Sequence, residues 1–384
     1  MIPFNKPYMT GKELSYIAEA HFNGMLAGDG PFTRRCHVWL EKYSGSAKVL
    51  LTNSCTAALE MSALILGLGP GDEVILPSFT FVSTANAFVL RGAVPVFVDI
   101  REDTLNLDER LIAEALTSKT RAIVPVHYAG VACEMDEIMR IANAHSLCVV
   151  EDAAQGVMAR YKGRALGSIG HLGAFSFHET KNVICGEGGA LLVNQPELVQ
   201  KAEIVREKGT DRSRFFRGEV DKYTWQEVGS SFLPGEVSAA FLAAQFEEAE
   251  SITDGRLLSW NRYHSMFDAL EHSGLVRRPV VPETCQHNAH MYYLLLPDIG
   301  TRGALIKSLR EADIYTVFHY VPLHSSPAGQ HFGRYVGDMR VTESSADRLL
   351  RLPMWVGITP EEQTLVAERI YRFFGRQSDF SPAQ

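Results

Sequence analysis

A lysine that follows a buried strand is the residue best suited to covalent chemistry in this sequence. Lys181 lies after the apolar run 174–177 and before the glycine-rich turn 186–189. Most lysines in such a position are solvated loop residues. A lysine amine that is withdrawn from water has a lowered pKa, however, and can bond covalently to a carbonyl carbon. The segment therefore fits either a surface loop or a covalent catalytic site.

Two adjacent carboxylates end a second apolar run. Glu151 and Asp152 follow residues 147–150, and two alanines separate them from Gln155. Carboxylates at the end of a buried strand are costly unless other groups satisfy them. A solvent-exposed strand end would explain one of the two. The presence of both, followed by small residues and a glutamine, indicates that one of them faces a cationic partner.

A third polar segment, 52–58, leads from an apolar run into a helical pattern. Its residues are mostly small or hydroxylic, and Ser54 and Thr56 stand where the helix would begin. A helix start of this kind offers free backbone N–H groups and a favourable dipole to a phosphate. Taken alone, the segment is explained better by a plain N-cap at Ser54.

The elements that must position these residues are seven short apolar runs. They are rich in β-branched residues and apolar at consecutive positions, so both faces of each predicted strand are expected to be buried. The runs are 48–51, 73–76, 94–98, 122–126, 147–150, 174–177 and 189–193. Helical patterns separate the first five, which predicts an α/β fold with a mainly parallel seven-stranded sheet. The last three runs lie too close together for full crossover helices, so an antiparallel strand is expected.

The sequence also predicts two domains. Residues 1–250 would form a large domain around the sheet, together with the N-terminal segment. Residues 251–384, where the pattern changes to a long helix and shorter strands, would form a smaller α+β domain. Ligands of open α/β sheets bind beyond the carboxyl ends of the strands. All three polar segments follow predicted strands, so we expect them to meet in one site.

The composition argues against several classes of function. A formal net charge of −8 gives no basic excess for nucleic acid. No apolar stretch approaches the roughly 18 residues that a membrane span needs, and the N-terminus lacks the layout of a signal peptide. The six cysteines form no C-x-x-C pair, which indicates reduced thiols in a cytoplasmic protein. His287 and His290 fit an ordinary polar cluster better than a zinc site, so no metal is expected.

Seven ordered segments give the sequence a family resemblance. They are PGDEV at 70–74, TFVSTAN at 80–86, VHYAG at 126–130, EDAAQ at 151–155, FSF at 175–177, KN at 181–182 and GEGGA at 186–190. In this order the segments resemble the DegT/DnrJ family of sugar-nucleotide aminotransferases. The resemblance implies the fold type I architecture of aspartate aminotransferase, with pyridoxal 5'-phosphate (PLP) as the cofactor.

The resemblance implies roles for individual residues. Lys181 would bond to the cofactor aldehyde and later move a proton between substrate and cofactor as general base and acid. Asp152 would pair with the protonated pyridine nitrogen of the cofactor. The other cofactor contacts would be Phe81 on the ring face, Gln155 at the phenolic oxygen, and Thr56, Ala57 and Ser176 at the phosphate.

The resemblance further implies a homodimer whose subunits share their active sites. In many relatives the neighbouring subunit supplies an asparagine to the cofactor phosphate. Ser231 stands at the matching position in this sequence. A serine can donate the same kind of hydrogen bond, although its reach is shorter.

Further stretches resemble those family members that aminate C4 of a dTDP-linked 4-keto-6-deoxy sugar. They include FTRRC at 32–36, FHETKN at 177–182, FFRG at 215–218, DKYTW at 221–225 and FHYVPLH at 318–324. The resemblance implies transfer of an amino group from glutamate to a nucleotide-linked keto-sugar, and dTDP-4-keto-6-deoxyglucose is the expected substrate. The candidate substrate-binding residues are His178, Arg217, Tyr320 and His324, for which structural roles are the alternative.

Three other functions compete with this interpretation. Relatives that dehydrate sugars with the same fold and cofactor replace the lysine, typically with histidine, and Lys181 argues against that chemistry. Some relatives have been regarded as regulators that bind a ligand without turnover, but Asp152 and Gln155 beside Lys181 favour catalysis. A nicotinamide-dependent enzyme would need its glycine fingerprint after a strand. The glycines at 67–71 follow a helix instead and precede a strand.

Overall fold

The computed structural model describes residues 1–378, and its strands form one large sheet and two small ones. In chain order the strands are β1 Lys48–Thr52, β2 Glu73–Pro77, β3 Val94–Val98, β4 Thr120–Ile123, β5 Cys148–Asp152, β6 Arg160–Tyr161, β7 Arg164–Ala165, β8 Leu172–Ser176, β9 Gly189–Val193, β10 Cys285–Gln286, β11 Tyr292–Leu295, β12 Arg334–Tyr335 and β13 Leu349–Leu352.

The helices cover the sheet and build most of the C-terminal part. They are α1 Glu13–Phe22, α2 Pro31–Ser44, α3 Cys55–Ile65, α4 Val82–Val89, α5 Ile112–Ala115, α6 Met135–Ala144, α7 Val199–Arg206, α8 Arg212–Phe216, α9 Glu236–Glu247, α10 Ala249–Met266, α11 Asp268–His272, α12 Ile299–Glu311, α13 Pro327–Phe332, α14 Arg340–Arg348 and α15 Pro360–Phe373. Short 3-10 turns lie at Glu109–Leu111, Tyr128–Gly130 and Pro196–Leu198. Across the described part of the chain, none of the helices has the length and apolar character to cross a membrane.

The large sheet has eight strands in the order β1-β9-β8-β5-β4-β2-β3-β12. Strand β9 runs antiparallel to both of its neighbours, and the other neighbouring pairs are parallel. The predicted mainly parallel sheet with an antiparallel member is therefore confirmed. The predicted number of seven strands is one too few, because β12 has only two residues and gives no periodic signal in the sequence.

An ion pair holds the eighth strand against the sheet. Arg334 in β12 donates from Nε and Nη2 to the two carboxylate oxygens of Glu73, over 2.9 and 2.8 Å. This bidentate contact lowers the pKa of Glu73. Since Glu73 begins β2, the contact fixes a segment from the C-terminal third of the chain to the edge of the sheet.

Burial on both faces of the sheet explains the continuous apolar runs. Val49 and Leu51 point into the cluster beneath α2, α6 and α9, whereas Leu50 between them points into the cluster beneath α3 and α7. In α6, Met135 and Ile138 are buried in the first of these clusters, so this helix turns an apolar side toward the sheet. Each strand therefore contributes apolar side chains to two layers of helices.

A separate apolar cluster lies in the C-terminal part. It is built on the antiparallel pair β11–β13 and on helices α10, α12 and α15. Two features cross the division predicted at residues 250 and 251: Ile2 packs into this cluster, and β12 joins the large sheet. The division stays a prediction, and residues 379–384 of the second predicted domain lie outside the described residues.

The first residue of α9 caps a helix that is distant in sequence. The buried carboxylate of Glu236 accepts hydrogen bonds from the backbone N–H of Phe32 over 2.8 Å and of Thr33 over 3.0 Å, and also from the Thr33 hydroxyl. These N–H groups open α2 and would otherwise lack acceptors. A Cβ at Gly30 would lie 2.4 Å from the Glu236 side chain, so the glycine makes room for the cap.

Replacing this cap should destabilise the fold. We expect Glu236→Ala to lower the free energy of unfolding by about 3 kcal/mol, because buried donors at the start of α2 lose a charged acceptor. Urea unfolding followed by circular dichroism would measure the change. The exposed Glu368→Ala on α15 is the matched control and should change stability by less than about 0.5 kcal/mol. Equal stabilities of the two variants would contradict the importance of the cap.

Candidate active site

Most of the predicted site residues border a single cavity of about 500 Å³. It opens beyond the carboxyl ends of β5 and β8 and beside the start of α3. The predicted residues that line it are Thr56, Phe81, Asp152, Gln155, Ser176, His178, Lys181 and Tyr320. Because β5 and β8 are parallel neighbours, the segments that follow them emerge on the same side of the sheet.

The adjacent carboxylates at the end of β5 serve different purposes. The fully buried Glu151 accepts hydrogen bonds from the backbone N–H of Gly167, Ile169 and Gly170, over 2.8, 2.6 and 2.5 Å. His127 Nε2 lies 2.8 Å from the same carboxylate. Glu151 is thus satisfied by the chain itself and anchors the loop before β8.

Asp152 is the carboxylate that faces the cavity. Its Oδ2 accepts a hydrogen bond of 2.7 Å from the Thr84 hydroxyl, and its Oδ1 accepts one of 3.1 Å from the Ala154 N–H. The residue is only 5 % exposed, and its position on a strand and between two donors fixes the orientation of the carboxylate. A cation or N–H group in the cavity would meet a fixed negative charge.

Thr84 is a site residue that the sequence analysis missed. Its hydroxyl lies 2.8 Å from that of Thr80, which precedes α4, and donates its single proton to Asp152. Thr80 must therefore be the donor to Thr84, which gives a one-directional relay of buried hydroxyls. Two threonines four residues apart in the segment 80–86 are the signal that could have indicated it.

Lys181 lies in the loop after β8 and is half-buried at the cavity wall. A backbone hydrogen bond of 2.9 Å from its N–H to the His178 carbonyl closes the turn that carries it. Burial lowers the pKa of Lys181, and the nearby carboxylate of Asp152 opposes this effect only in part. A larger fraction of the amine is then neutral at a given pH, and the neutral amine is the form that attacks carbonyl carbons.

Phe81 and Gln155 line the same cavity as Asp152 and Lys181. Phe81 caps the start of α4 and is 59 % exposed, which excludes a role as a core aromatic and leaves its ring open to the cavity. Gln155 accepts a hydrogen bond of 2.6 Å from the Ala129 N–H and donates one of 3.2 Å to the Tyr320 hydroxyl. These contacts fix which end of the Gln155 amide is the donor.

The start of α3 combines an N-cap with free donors. Ser54 Oγ accepts from the Ala57 N–H over 3.0 Å, so that N–H group is already occupied. Cys55 and Thr56 are the first two residues of the helix, where N–H groups have no partner within the helix. Both line the cavity, as does the buried Ser176 across from them on β8. The segment can therefore hold an anion although Ser54 caps it.

The glycine-rich turn lets β9 approach this helix start. A Cβ on Gly189 would lie 2.4 Å from the backbone N of Cys55 and from the carbonyl carbon of Ser54. No larger residue fits at this position without displacing α3. The spacing of the turn and strand therefore sets how closely α3 borders the cavity.

Four of the predicted site residues do not line this cavity. Ala57 is buried in α3 and does not line the cavity. Arg217 forms ion pairs with Glu203 and Glu219, and it borders a second cavity of about 980 Å³ together with Ser231. His324 is buried against the Ser78 hydroxyl, 2.7 Å from its Nδ1. Ser231 is expected to contact the cofactor phosphate in the cavity of a neighbouring subunit, not in the cavity of its own chain.

The cavity that contains Lys181 and Asp152 is also lined by residues from the C-terminal part of the chain. Arg351 in β13 donates from Nη1 to His319 Nε2 over 2.6 Å, and His319 Nδ1 lies 3.2 Å from the Tyr128 hydroxyl. Burial and the charge of Arg351 lower the pKa of His319 to about 2. Arg351 was missed in the sequence, although a lone arginine within the apolar run 349–352 is itself a signal.

The two histidines considered as zinc ligands have other partners. The ring of His287 packs edge-on against Trp260 with centroids 4.5 Å apart, and His290 Nδ1 lies 3.0 Å from Asn182 Oδ1. Among residues 1–378, no three His, Cys, Asp or Glu side chains converge as metal ligands would.

The chemistry of the donor set fits PLP. The cavity offers an amine of lowered pKa to an aldehyde, a fixed carboxylate to a ring N–H, an open aromatic face to a flat ring, and helix-start N–H groups to a phosphate. Each of these is a recurrent contact of that cofactor or of phosphate groups.

Comparison with known proteins agrees with this set. Residues 7–371 match the model of the DegT/DnrJ/EryC1/StrS aminotransferase family. The chain is 34% identical to the spore coat polysaccharide biosynthesis protein SpsC of Bacillus subtilis, covering 96% of each chain. It is 33% identical to GDP-perosamine synthase of Caulobacter vibrioides, covering 92% of this chain and 93% of that protein.

A solved structure extends the likeness to the whole fold. The PLP-form of Spr1654 from Streptococcus pneumoniae superposes with a TM-score of 0.88 at 26% identity, covering 97% of this chain and 98% of that one. The predicted fold type I architecture and the predicted cofactor are thereby confirmed. The chain belongs to the DegT/DnrJ/EryC1/StrS aminotransferase family and is a PLP-dependent sugar aminotransferase.

Proposed function

We propose that the protein transfers an amino group from glutamate to C4 of a nucleotide-linked 4-keto-6-deoxy sugar. The proposed substrate is dTDP-4-keto-6-deoxyglucose, and the product is the corresponding 4-amino-4,6-dideoxy sugar nucleotide. The observation that carries the proposal is the Lys181 amine, whose pKa burial lowers, in one cavity with the fixed carboxylate of Asp152. The stretches 177–182 and 318–324, which resemble C4-aminating relatives, both contribute side chains to this cavity.

Bound PLP supplies an electron sink that stabilises negative charge on a substrate carbon. Lys181 would hold the cofactor covalently, and its free amine would carry a proton between the reacting carbons. Its lowered pKa suits both tasks, because an amine that exchanges protons readily near neutral pH serves as base and then as acid. A dehydratase of the same fold would lack this lysine.

Asp152 would keep the ring nitrogen of the cofactor protonated. A carboxylate is a strong acceptor for that N–H, and Thr84 and Ala154 prevent it from turning away. Gln155 would donate a hydrogen bond to the phenolic oxygen of the cofactor, and the exposed ring of Phe81 would pack against the pyridine. Together these residues would restrict how the cofactor is oriented toward Lys181.

The phosphate of the cofactor is proposed to bind at the start of α3. Thr56 would contribute its backbone N–H, because its hydroxyl donates to the Ser83 hydroxyl over 2.8 Å, and Ser176 would add a hydroxyl. Ala57 contributes through the helix it belongs to, since its own N–H is bonded to Ser54. Ser231 of the neighbouring subunit is proposed to complete the site in a homodimer.

The second cavity supports the proposed dimer. It contains Ser231, and exposed apolar side chains border it at Met25 and Leu26 and, from α8, at Phe216. Arg217 stands beside them in the same cavity. We propose that this face meets the partner, so that Arg217 contributes to binding the nucleotide diphosphate, while His178 and Tyr320 line the cavity where the sugar reacts. His324, held by Ser78, supports the segment that carries Tyr320.

The cellular context follows from the proposed substrate. Amino sugars linked to nucleotides are precursors of glycans, and the similarity to a spore coat polysaccharide biosynthesis protein supports a role in surface polysaccharide formation. Substrate and cofactor are soluble, which favours a cytoplasmic enzyme.

The substrate is tested by product analysis. A mixture of protein, PLP, glutamate and dTDP-4-keto-6-deoxyglucose should yield 2-oxoglutarate and an amino sugar. NMR of the amino sugar should show that the new amino group is on C4. The same assay with a GDP-linked 4-keto-6-deoxy sugar is the comparison. A clear preference for the GDP sugar would overturn the proposed nucleotide. A sugar product without a new amino group would overturn the proposed transamination.

Removal of the Lys181 amine should abolish catalysis. We expect Lys181→Ala to lower the transamination rate by a factor of about 100 to about 10⁴, because the amine that carries the proton between the reacting carbons is missing. Borohydride should fix PLP to the unmodified protein, as measured by mass spectrometry, and should leave Lys181→Ala unlabelled. Lys307→Ala, an exposed lysine on α12, is the control and should keep both properties. Labelling of the Lys181 variant would assign the covalent contact to another residue.

The Thr84 hydroxyl should matter through Asp152. Thr84→Val keeps the shape of the side chain but removes one hydrogen bond to the carboxylate. The Kd for PLP should therefore rise about 10-fold, which corresponds to a loss of about 1.4 kcal/mol of binding free energy. Absorbance titration with PLP measures the change. Thr364→Val on α15 is the matched control and should bind as the unmodified protein does. An unchanged Kd in Thr84→Val would show that Asp152 is held without this hydroxyl.

A further inference from the structure

Arg351 lines the cavity as a cation without an acidic partner. Its side chain is half-buried, and Nη1 donates to His319 Nε2 over 2.6 Å. Nε is shielded from solvent and has no hydrogen-bond partner. Within the described residues, no Asp or Glu side chain pairs with this guanidinium.

The neighbours of Arg351 leave its charge uncompensated. His319 accepts from Arg351, so its proton is on Nδ1 and points to the Tyr128 hydroxyl. The ring is neutral, because burial and Arg351 lower its pKa to about 2. An arginine stays protonated in proteins, and a charge that is partly withdrawn from water is costly unless an opposite charge meets it.

The charges of the cavity favour an anionic ligand near Arg351. Asp152 is the buried carboxylate of this cavity; it accepts hydrogen bonds from Thr84 and Ala154, and its charge partly offsets the lowering of the Lys181 pKa by burial. The cofactor phosphate is proposed to bind at the start of α3. Glu187, the other carboxylate that lines the cavity, is exposed and lies 3.6 Å from His178, so the Arg351 guanidinium is left without an anionic partner.

Arg351 is also held in one orientation. The ring of Phe4 lies over its guanidinium, with 4.6 Å between Cζ and the ring centroid, and Phe4 is tied to the C-terminal part by a hydrogen bond from the Met354 N–H. His319 fixes one edge of the planar group. A guanidinium fixed in this way is preorganised for a planar, bidentate acceptor.

We propose that Arg351 binds a carboxylate of the amino donor. The inference rests on the proposed function and deepens it, since it restricts donors to amino acids and excludes simple amines. A carboxylate matches the planar fork of one guanidinium. A nucleotide diphosphate is less suited to this position, because the cationic side chains Lys208, Arg212 and Arg217 cluster at the other cavity.

Glutarate tests this proposal without turnover, because it carries the two carboxylates of glutamate but no amine. Calorimetric titration of the PLP-loaded protein should show binding, and Arg351→Ala should weaken it at least about 30-fold, as expected when one partner of a partly buried charge pair is removed. Arg351→Lys should recover only part of the affinity, because it restores the charge without the fork. Arg140→Ala, an exposed arginine on α6, is the matched control and should bind glutarate normally.

Two further arms separate the possible outcomes. Titration with dTDP should give the same Kd in the unmodified protein and in Arg351→Ala; a loss of dTDP affinity with unchanged glutarate binding would overturn the proposal. Absence of glutarate binding to the unmodified protein would overturn it as well. Since no sugar takes part, failure of turnover with dTDP-4-keto-6-deoxyglucose would leave this measurement intact and would count against the proposed substrate alone.

A kinetic measurement guards against a folding defect. In Arg351→Gln, kcat/KM for glutamate should fall by the same factor as glutarate affinity, whereas the reverse half-reaction with the 4-amino sugar nucleotide, which has no carboxylate, should keep its rate. Equal losses in both half-reactions would mean that Arg351 acts on the fold or on the cofactor, and the proposal would fail.

Discussion

The structure depends on keeping one carboxylate and one amine in the same partly dry cavity. Asp152 ends a strand and is clamped by the Thr84 hydroxyl and by a backbone N–H, while Lys181 sits in the turn after the neighbouring strand. Burial disfavours the charged amine, and the nearby carboxylate favours it, so that the lysine pKa is the balance of two opposing effects. A parallel sheet is what brings both segments to one edge, and the helices on its two faces are what keep that edge rigid.

The arrangement of the sheet was largely readable from the sequence, because apolar runs without alternation occur where both faces are buried. The eighth strand was not, since Arg334 and Tyr335 form only a two-residue strand held by the contact with Glu73. The same limit applies to the carboxylate pair. Alternation along a strand places Glu151 and Asp152 on opposite faces. Which of them faces the cavity is decided by the N–H groups of the loop 167–170 and by His127, which the local sequence does not reveal.

The residues of the candidate site also differ in how well the sequence predicts them. Lys181, Asp152 and Gln155 lie within about thirty residues of one another in ordered segments, so local patterns and resemblance found them. Arg351 and the Phe4 ring that lies over its guanidinium come from opposite ends of the chain and meet only through tertiary packing. Thr84 is intermediate, since its segment was noticed but the direction of its hydroxyl depends on the position of β5. Contacts between distant segments are where sequence patterns carry the least information.

The other buried arginines of the chain show why Arg351 is unusual. Arg206 pairs with Asp29 and also donates to the Leu51 carbonyl, and Arg256, which no carboxylate meets, donates instead to the carbonyls of residues 289 and 290. In each case the fold supplies acceptors, as a stabilising role requires. Arg351 receives only a neutral imidazole and an aromatic face, although it faces open space beside Lys181. A charged guanidinium whose acceptor is a neutral ring and which borders a cavity is what the proposed binding of a donor carboxylate requires.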